Sequence, residues 1–294
     1  MRKSAMCVTV LAGLGMALAA GAKEVAMGDC SGLPCASFDL GGGKTATLMI
    51  DTGNAHPVLD LARAKALGLE LQPYVGRSGK IVPGVFKAAL PDLRLDGESL
   101  GSVELIIMDL AKDVAEGGFP PSDGSVSYAT FKDRVVTLDY RRRRLSFSAP
   151  GAEVAPPAGS GTLSYPTFGQ KGPPIVVAEG FQVDGKPLSV QIDTLYGGTM
   201  LVYTTAIGRL GLESQAASAK KRHFPFTDGG VDMIEGRAGR EGFAGKTLLS
   251  SAALYFATEG VHQPDGMFDG TVGAELFADH RLTLDFHANR VWVD

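Results

Sequence analysis

The chain has 294 residues, of which 45% are hydrophobic, and its formal net charge at pH 7 is −4. This length is enough for two modest hydrophobic cores or one large one. The small net charge argues against a nucleic-acid-binding protein and against one that binds an anionic membrane surface.

The first 22 residues have the pattern of a secretory signal peptide. Arg2 and Lys3 form a positive start, an apolar run covers residues 6–20, and a site of small residues ends at Ala22. The apolar run is short for a membrane span. We therefore predict an exported protein, periplasmic or extracellular, that has no membrane association once the signal is removed. An uncleaved membrane anchor is the alternative.

Removal of the signal leaves two cysteines, Cys30 and Cys35, separated by Ser-Gly-Leu-Pro. A close pair in an exported chain predicts a small-loop disulfide that holds the N-terminal segment. Two cysteines without a nearby histidine cannot form a zinc site. The histidines also lack the spacing of metal ligands, so we predict no metal; they are His56, His223, His262, His280 and His287.

An apolar run that begins at Ala46 ends in the tripeptide Asp51-Thr52-Gly53. A short run rich in Leu, Met and Ile is typical of a β-strand. Asp51 then lies where the strand ends and the chain turns, a position that can expose a carboxylate and still keep it partly desolvated. Taken alone, Asp-Thr-Gly is also explained by an ordinary turn.

The surroundings of Asp51 recur 142 residues later, where Leu188-Ser-Val-Gln-Ile precedes Asp193-Thr194. In both places a predicted short helix ends in Leu-Gly-Leu-Glu. Further on, Asp123-Gly-Ser-Val-Ser and Asp269-Gly-Thr-Val-Gly precede strands that share Phe, Asp and Thr-Leu-Asp-aromatic at a constant offset of 146. This spacing indicates an internal duplication.

A stretch rich in proline and glycine lies where the duplication requires a boundary. We predict a signal peptide over 1–22, an N-terminal lobe over 23–150, a linker over 151–163 and a C-terminal lobe over 164–294.

Each half resembles one lobe of a pepsin-like or retropepsin-like aspartic peptidase. That family pairs an apolar-apolar-Asp-Thr/Ser-Gly turn with a downstream apolar-apolar-Gly segment, followed by a strand similar to Val-Thr-Leu-Asp-Tyr. Both halves carry these features in order, over nearly all of the mature chain. The resemblance implies an all-β, bilobed acid-protease-like fold, with two duplicated β-barrel-like lobes, short helices and a central cleft.

The same resemblance implies an exported aspartic endopeptidase with Asp51 and Asp193 as its catalytic pair. Two carboxylates within hydrogen-bond reach share a proton, so one can activate a water while the other protonates the peptide carbonyl. Thr52 and Thr194 would form hydrogen bonds between the lobes, and Gly53 would let its amide approach the carboxylate of Asp51. The resemblance implies no cofactor, a monomer, and a peptide or protein as substrate.

Each half departs from the family pattern at one position. The first half has Ser127 where the second motif normally has glycine, whereas the second half keeps Gly273 there. The second half has Leu195 directly after its Asp-Thr pair, and its turn is one residue longer. We interpret Leu195 as a candidate insertion, with Gly197 or Gly198 serving the tight turn. The alternative function is therefore a catalytically weak or inactive peptide-binding protein of the same fold.

Overall fold

The computed structural model describes residues 22–76, 78–115, 120–167, 173–217, 220–224, 231–258 and 266–294. Apart from Ala22, the predicted signal peptide lies outside these residues. Within the described ranges, no helix has both the length and the apolar character needed to cross a bilayer.

The described residues form mainly β-strands. The strands of the first half are β1 (Lys23–Ala26), β2 (Gly28–Cys30), β3 (Leu33–Asp39), β4 (Thr45–Asp51), β5 (Val58–Asp60), β6 (Gln72–Val75), β7 (Ile81–Leu95), β8 (Glu98–Met108), β9 (Gly124–Ser127), β10 (Val135–Asp139) and β11 (Arg144–Phe147). Those of the second half are β12 (Gly161–Ser164), β13 (Val177–Val183), β14 (Lys186–Ile192), β15 (Met200–Val202), β16 (Lys220–Phe224), β17 (Val231–Arg237), β18 (Arg240–Phe243), β19 (Lys246–Ser250), β20 (Ala253–Phe256), β21 (Gly270–Val272), β22 (Arg281–Asp285) and β23 (Arg290–Val293).

The helices are short. They are α1 (Leu61–Leu67), α2 (Leu110–Ala115), α3 (Thr204–Leu210) and α4 (Glu213–Ala217), with 3₁₀ turns at Tyr128–Phe131 and Ala274–Phe277. Helices α1 and α3 end at the glycine of the repeated Leu-Gly-Leu-Glu sequence. Gly68 and Gly211 both adopt the left-handed conformation that favours glycine at a helix C-terminus.

The two halves repeat one strand order. In the first half the order is β3-β4-β9-β5-β8-β7-β6, and in the second it is β13-β14-β21-β15-β20-β17-β16. The central pairs β4–β9 and β14–β21 are parallel, and so are β5–β8 and β15–β20. The protein therefore has the predicted all-β, bilobed acid-protease-like fold.

A shared sheet with the order β1-β11-β10-β22-β23-β12 joins the halves. Its central strands β10 and β22 carry the two Thr-Leu-Asp repeats and pair in antiparallel fashion, with Thr137 opposite Thr283. The hydroxyls of these two threonines lie 3.0 Å apart. The two Thr-Leu-Asp repeats thus lie in the strand pair through which the halves are joined.

The repeated Asp-Gly pairs anchor the strands that lead to the candidate site. The carboxylate of Asp123 accepts the amide of Thr47 at 2.8 Å, and that of Asp269 accepts the amide of Ser189 at 2.9 Å. Each also forms an ion pair with an arginine of a short helix that precedes it in the chain, Asp123 with α1 and Asp269 with α3. At the next position only glycine fits, because a Cβ on Gly124 or Gly270 would lie 2.1 Å from a backbone carbonyl oxygen.

The boundary between the halves differs slightly from the sequence prediction. Residues 151–160 contain neither helix nor strand. Strand β12 begins at Gly161, so the last three residues of the predicted linker belong to a strand that pairs with β23 and β13.

Candidate active site

The two aspartates occupy equivalent positions at the ends of equivalent strands. Asp51 is the last residue of β4, and Asp193 directly follows β14. The neighbouring parallel strand holds each in place: Asp51 pairs with Ser127 in β9, and the amide of Asp193 donates to the carbonyl of Val272 in β21 at 3.0 Å.

The threonines that follow the aspartates connect the two turns. The amide of Thr52 donates to the hydroxyl oxygen of Thr194 at 3.1 Å, and the amide of Thr194 donates to the hydroxyl oxygen of Thr52 at 3.2 Å. Each hydroxyl also donates to a strand carbonyl of the opposite half, Thr52 to Ile192 and Thr194 to Ile50. Both threonines are buried, so these bonds form away from bulk water.

Each carboxylate accepts two backbone amides of its own turn. Asp51 Oδ1 accepts the amide of Gly53 at 2.9 Å and that of Asn54 at 3.1 Å. Asp193 Oδ1 accepts the amides of Leu195 and Tyr196 at the same two distances. The two turns therefore present their carboxylates in the same way.

Gly53 contacts both carboxylates. Its amide bonds to Asp51, and a Cβ built on it would lie 2.3 Å from Cγ of Asp193 and 2.6 Å from both oxygens. Glycine is required at this position because the carboxylate of the other half takes the place of a side chain. The structure thus brings Asp51 and Asp193 together around one residue.

Both carboxylates hold protons more tightly than an ordinary aspartate. Burial raises the pKa of Asp51 well above its usual value, the negative charge of Asp193 raises it further, and the amides of Gly53 and Asn54 oppose the rise. Burial also raises the pKa of Asp193. Asp51 is only 7% exposed, whereas Asp193 is partly exposed.

Leu195 is not an insertion. Its amide bonds to Asp193 as that of Gly53 bonds to Asp51, so the two residues are equivalent. The extra residue of this turn lies beyond Tyr196. Leu195 is accommodated because its φ is not positive and its side chain packs against Cys30, Cys35 and Met49.

The other departure from the family pattern, Ser127 in place of glycine, is also accommodated. Ser127 is fully buried, and its hydroxyl donates to the carbonyl of Ala55 at 3.1 Å. At the equivalent position Gly273 cannot be replaced in this way, because a Cβ there would lie 2.1 Å from the backbone oxygen of Tyr196. The longer turn of the second half is thus what requires glycine at 273.

Sequence reasoning missed Gln191. Its side-chain amide donates to the carbonyl of Gly53 at 2.9 Å, so it holds the turn of the opposite half. The equivalent residue in the first half, two positions before Asp51, is Met49, which lies in the cluster that receives Leu195. The only sequence signal is their shared position in the duplication.

Two further observations concern the surroundings of the two carboxylates. Within the described ranges, no side-chain hydroxyl donates to the carboxylate of Asp51 or Asp193. The same part of the chain contains no group of three or more His, Cys, Asp or Glu residues that could hold a metal ion.

A buried glutamate lies beside the Asp193 turn. Glu241 accepts the hydroxyl of Thr199 at 3.4 Å, and the carbonyl of Thr199 accepts the amide of Gly273 at 2.9 Å. The second carboxyl oxygen of Glu241 has no hydrogen-bond partner among the described residues. Burial raises the pKa of Glu241 to about 8, opposed by Thr199 and assisted by the charges of Glu275 and Asp184.

We expect Glu241 to make the protein less stable as pH rises. The unfolded chain loses this proton near the ordinary value of 4.5, whereas the folded protein keeps it to about pH 8. Between these values the free energy of unfolding falls by up to about 1.4 kcal/mol per pH unit. Urea unfolding measured at several pH values from 5 to 8 gives the free energy of unfolding at each pH. This free energy should fall less steeply with pH for Glu241→Gln than for the wild type. Equal slopes would contradict the prediction.

Comparison with known proteins identifies the fold alone. No known family profile matches the chain, and no curated protein matches it. Among solved structures, the chain is similar to Basic 7S globulin from soybean, at 10% identity and a TM-score of 0.50, over 93% of this chain and 95% of that one. It is also similar to edgp, at 10% identity and a TM-score of 0.46, over 93% of this chain and 94% of that one.

Proposed function

We propose that the protein is an aspartic endopeptidase that hydrolyses peptide bonds with a water activated by Asp51 and Asp193. The observation that supports this most strongly is that both carboxylates contact Gly53. The amide of Gly53 donates to the carboxylate of Asp51, and the carboxylate of Asp193 occupies the space where a side chain on Gly53 would lie. Two carboxylates so close cannot both ionise cheaply, so the pair holds one proton over a range of pH.

In this proposal the two carboxylates have different roles. Asp193, the more exposed of the two, is ionised and takes a proton from a water that attacks the peptide carbonyl carbon. Asp51 holds the shared proton and donates it to the carbonyl oxygen. When the tetrahedral intermediate collapses, Asp193 gives its proton to the leaving amine, and Asp51 takes a proton back from a hydroxyl of the intermediate as the product carboxyl group is released.

The proposed substrate is an extended peptide or protein segment, cleaved between apolar side chains, and the proposed location is the periplasm or the exterior. Export rests on the N-terminal sequence pattern, and we propose a monomer because the chain supplies both carboxylates itself. Nucleic acid and membrane lipid are not proposed as partners.

A noncatalytic peptide-binding protein is the second candidate. It is favoured by the absence, within the described ranges, of a hydroxyl that orients either carboxylate. A peptide would then occupy the site without being cleaved. In favour of the enzyme, both carboxylates are retained and Leu195 keeps the geometry of the glycine that it replaces.

The test is cleavage of a mixed peptide library by the purified mature protein from acidic to neutral pH. We expect cleavage at internal peptide bonds, with a rate that falls at low pH when both carboxylates are protonated and at higher pH when both are ionised. Peptides that bind without cleavage at any pH would favour the second candidate.

A further inference from the structure

The disulfide closes a small loop at the N-terminal edge of the first half. Cys30 and Cys35 are joined, and β2 and β3 pair within the loop, with Cys30 opposite Leu33. The tip at Ser31 and Gly32 has positive φ at both residues, which is typical of a tight two-residue hairpin turn. We call residues 30–35 the cystine loop.

The cystine loop is attached to the strand that carries Asp51. Strand β3 continues from the loop and pairs with β4, where Cys35 lies opposite Met49. Met49 is fully buried against the disulfide and precedes Asp51 by two residues. The loop and the first carboxylate are therefore connected through adjacent strands of one sheet.

The cystine loop also contacts the turn that carries Asp193. The side chains of Leu33 and Leu195 both pack against the cluster of Cys30, Cys35 and Met49. A Cβ built on Gly197 would lie 3.9 Å from Cδ2 of Leu33, so the turn faces the loop at a second point. The amide of Leu195 donates to Asp193 at 2.9 Å.

We propose that the cystine loop is a positioning element that acts through Leu195 to set the Asp193 carboxylate relative to Asp51. The inference rests on the proposed function. The loop is the apolar counterpart of the polar contact between Gln191 and the carbonyl of Gly53, which holds the other turn. Each turn is thus fixed by a contact from the opposite half.

The disulfide contributes to this positioning because it closes the cystine loop covalently. Without it, the cluster of Cys30, Cys35 and Met49, against which Leu33 and Leu195 both pack, loses its covalent closure. A displacement of a reacting group by 1 Å costs about 100-fold in rate. The expected effect is therefore a fall in kcat, with a smaller change in KM, because Leu195 bonds to the carboxylate and not to the bulk of the substrate.

The experiment is a double-mutant cycle between the disulfide and Leu195. We expect Cys30→Ala/Cys35→Ala to lower kcat by about 10- to 100-fold, and Leu195→Gly to lower it by a similar factor. In the Leu195→Gly background, loss of the disulfide should change kcat less than about 3-fold. A matched control is Gly97→Ala, which strains the remote turn between β7 and β8 at φ +73 and should lower the melting temperature without changing kcat.

A second readout separates this inference from the proposed function. In protein labelled with ¹³C at the Asp side chains, removal of the disulfide should shift the titration of the catalytic pair, and Gly97→Ala should not. This titration does not require the wild type to be active. Equal losses of kcat in both Leu195 backgrounds, or an unchanged titration in folded protein without the disulfide, would overturn the positioning role.

Discussion

Under the proposed function, replacing Asp51 or Asp193 with asparagine is expected to lower kcat for peptide cleavage by at least about 1,000-fold. In Asp193→Asn the site has no base to take a proton from the attacking water. In Asp51→Asn it has no acid that can protonate the carbonyl oxygen. Because both carboxylates serve a single step, the double variant should be little worse than either single one.

The measurement is kcat for one peptide identified from the library, with each variant tested across the full pH range. Circular dichroism should show an unchanged fold, because asparagine keeps the oxygen that accepts the turn amides of Gly53 or Leu195. Asparagine also removes the repulsion that contributes to the raised pKa of Asp51, so both variants should be at least as stable as the wild type near neutral pH. Cleavage that survives both replacements would locate the reaction elsewhere.

Gly53→Ala is expected to lower kcat by at least about 100-fold while leaving the protein folded. The added methyl would lie 2.3 Å from Cγ of Asp193, over 1 Å inside an ordinary contact. The atoms that must move belong to a side chain, so the strain is relieved by displacing the carboxylate and not the backbone. Steady-state kinetics and thermal unfolding of the same preparation would distinguish a loss of kcat from a loss of stability.

Two other glycine-to-alanine variants are the controls for Gly53→Ala. In Gly273→Ala the methyl would lie 2.1 Å from a backbone oxygen, so the loss should appear in the melting temperature. In Gly208→Ala, inside helix α3, the nearest atom is 3.7 Å away, and alanine should be neutral or slightly stabilising, with normal kcat. A Gly53→Ala protein that keeps wild-type kcat would show that the Asp193 carboxylate does not need its present position.

The duplicated fold could be predicted from sequence because its repeated residues have local structural tasks. Asp123 and Asp269 accept the equivalent strand amide in each half, and each also pairs with an arginine of a short helix, although the two arginines stand at different positions in their helices. Glycine is required after each, because a Cβ at that position would lie 2.1 Å from a backbone carbonyl oxygen. Such requirements leave identical residues at a constant spacing, which a sequence displays directly.

The contacts between the halves could not be predicted in the same way. Gln191 and the Gly53 carbonyl that it binds are 138 residues apart, and nothing local marks either as a partner of the other. The equivalence of Leu195 and Gly53 was also hidden, because an extra residue in a turn can be aligned at several positions. Glu241 lies in an ordinary strand pattern, and only tertiary packing shows that it is buried.

The single-chain arrangement makes the two turns individually adjustable. An assembly of two identical subunits would have to place the same residue at both equivalent positions, either glycine twice or leucine twice. Here the counterpart of Gly53 is Leu195, and the counterpart of Met49 is Gln191. The surroundings of the two carboxylates therefore differ before any substrate arrives. Under the proposed peptidase function, a bound peptide would therefore meet chemically different surroundings at its two ends.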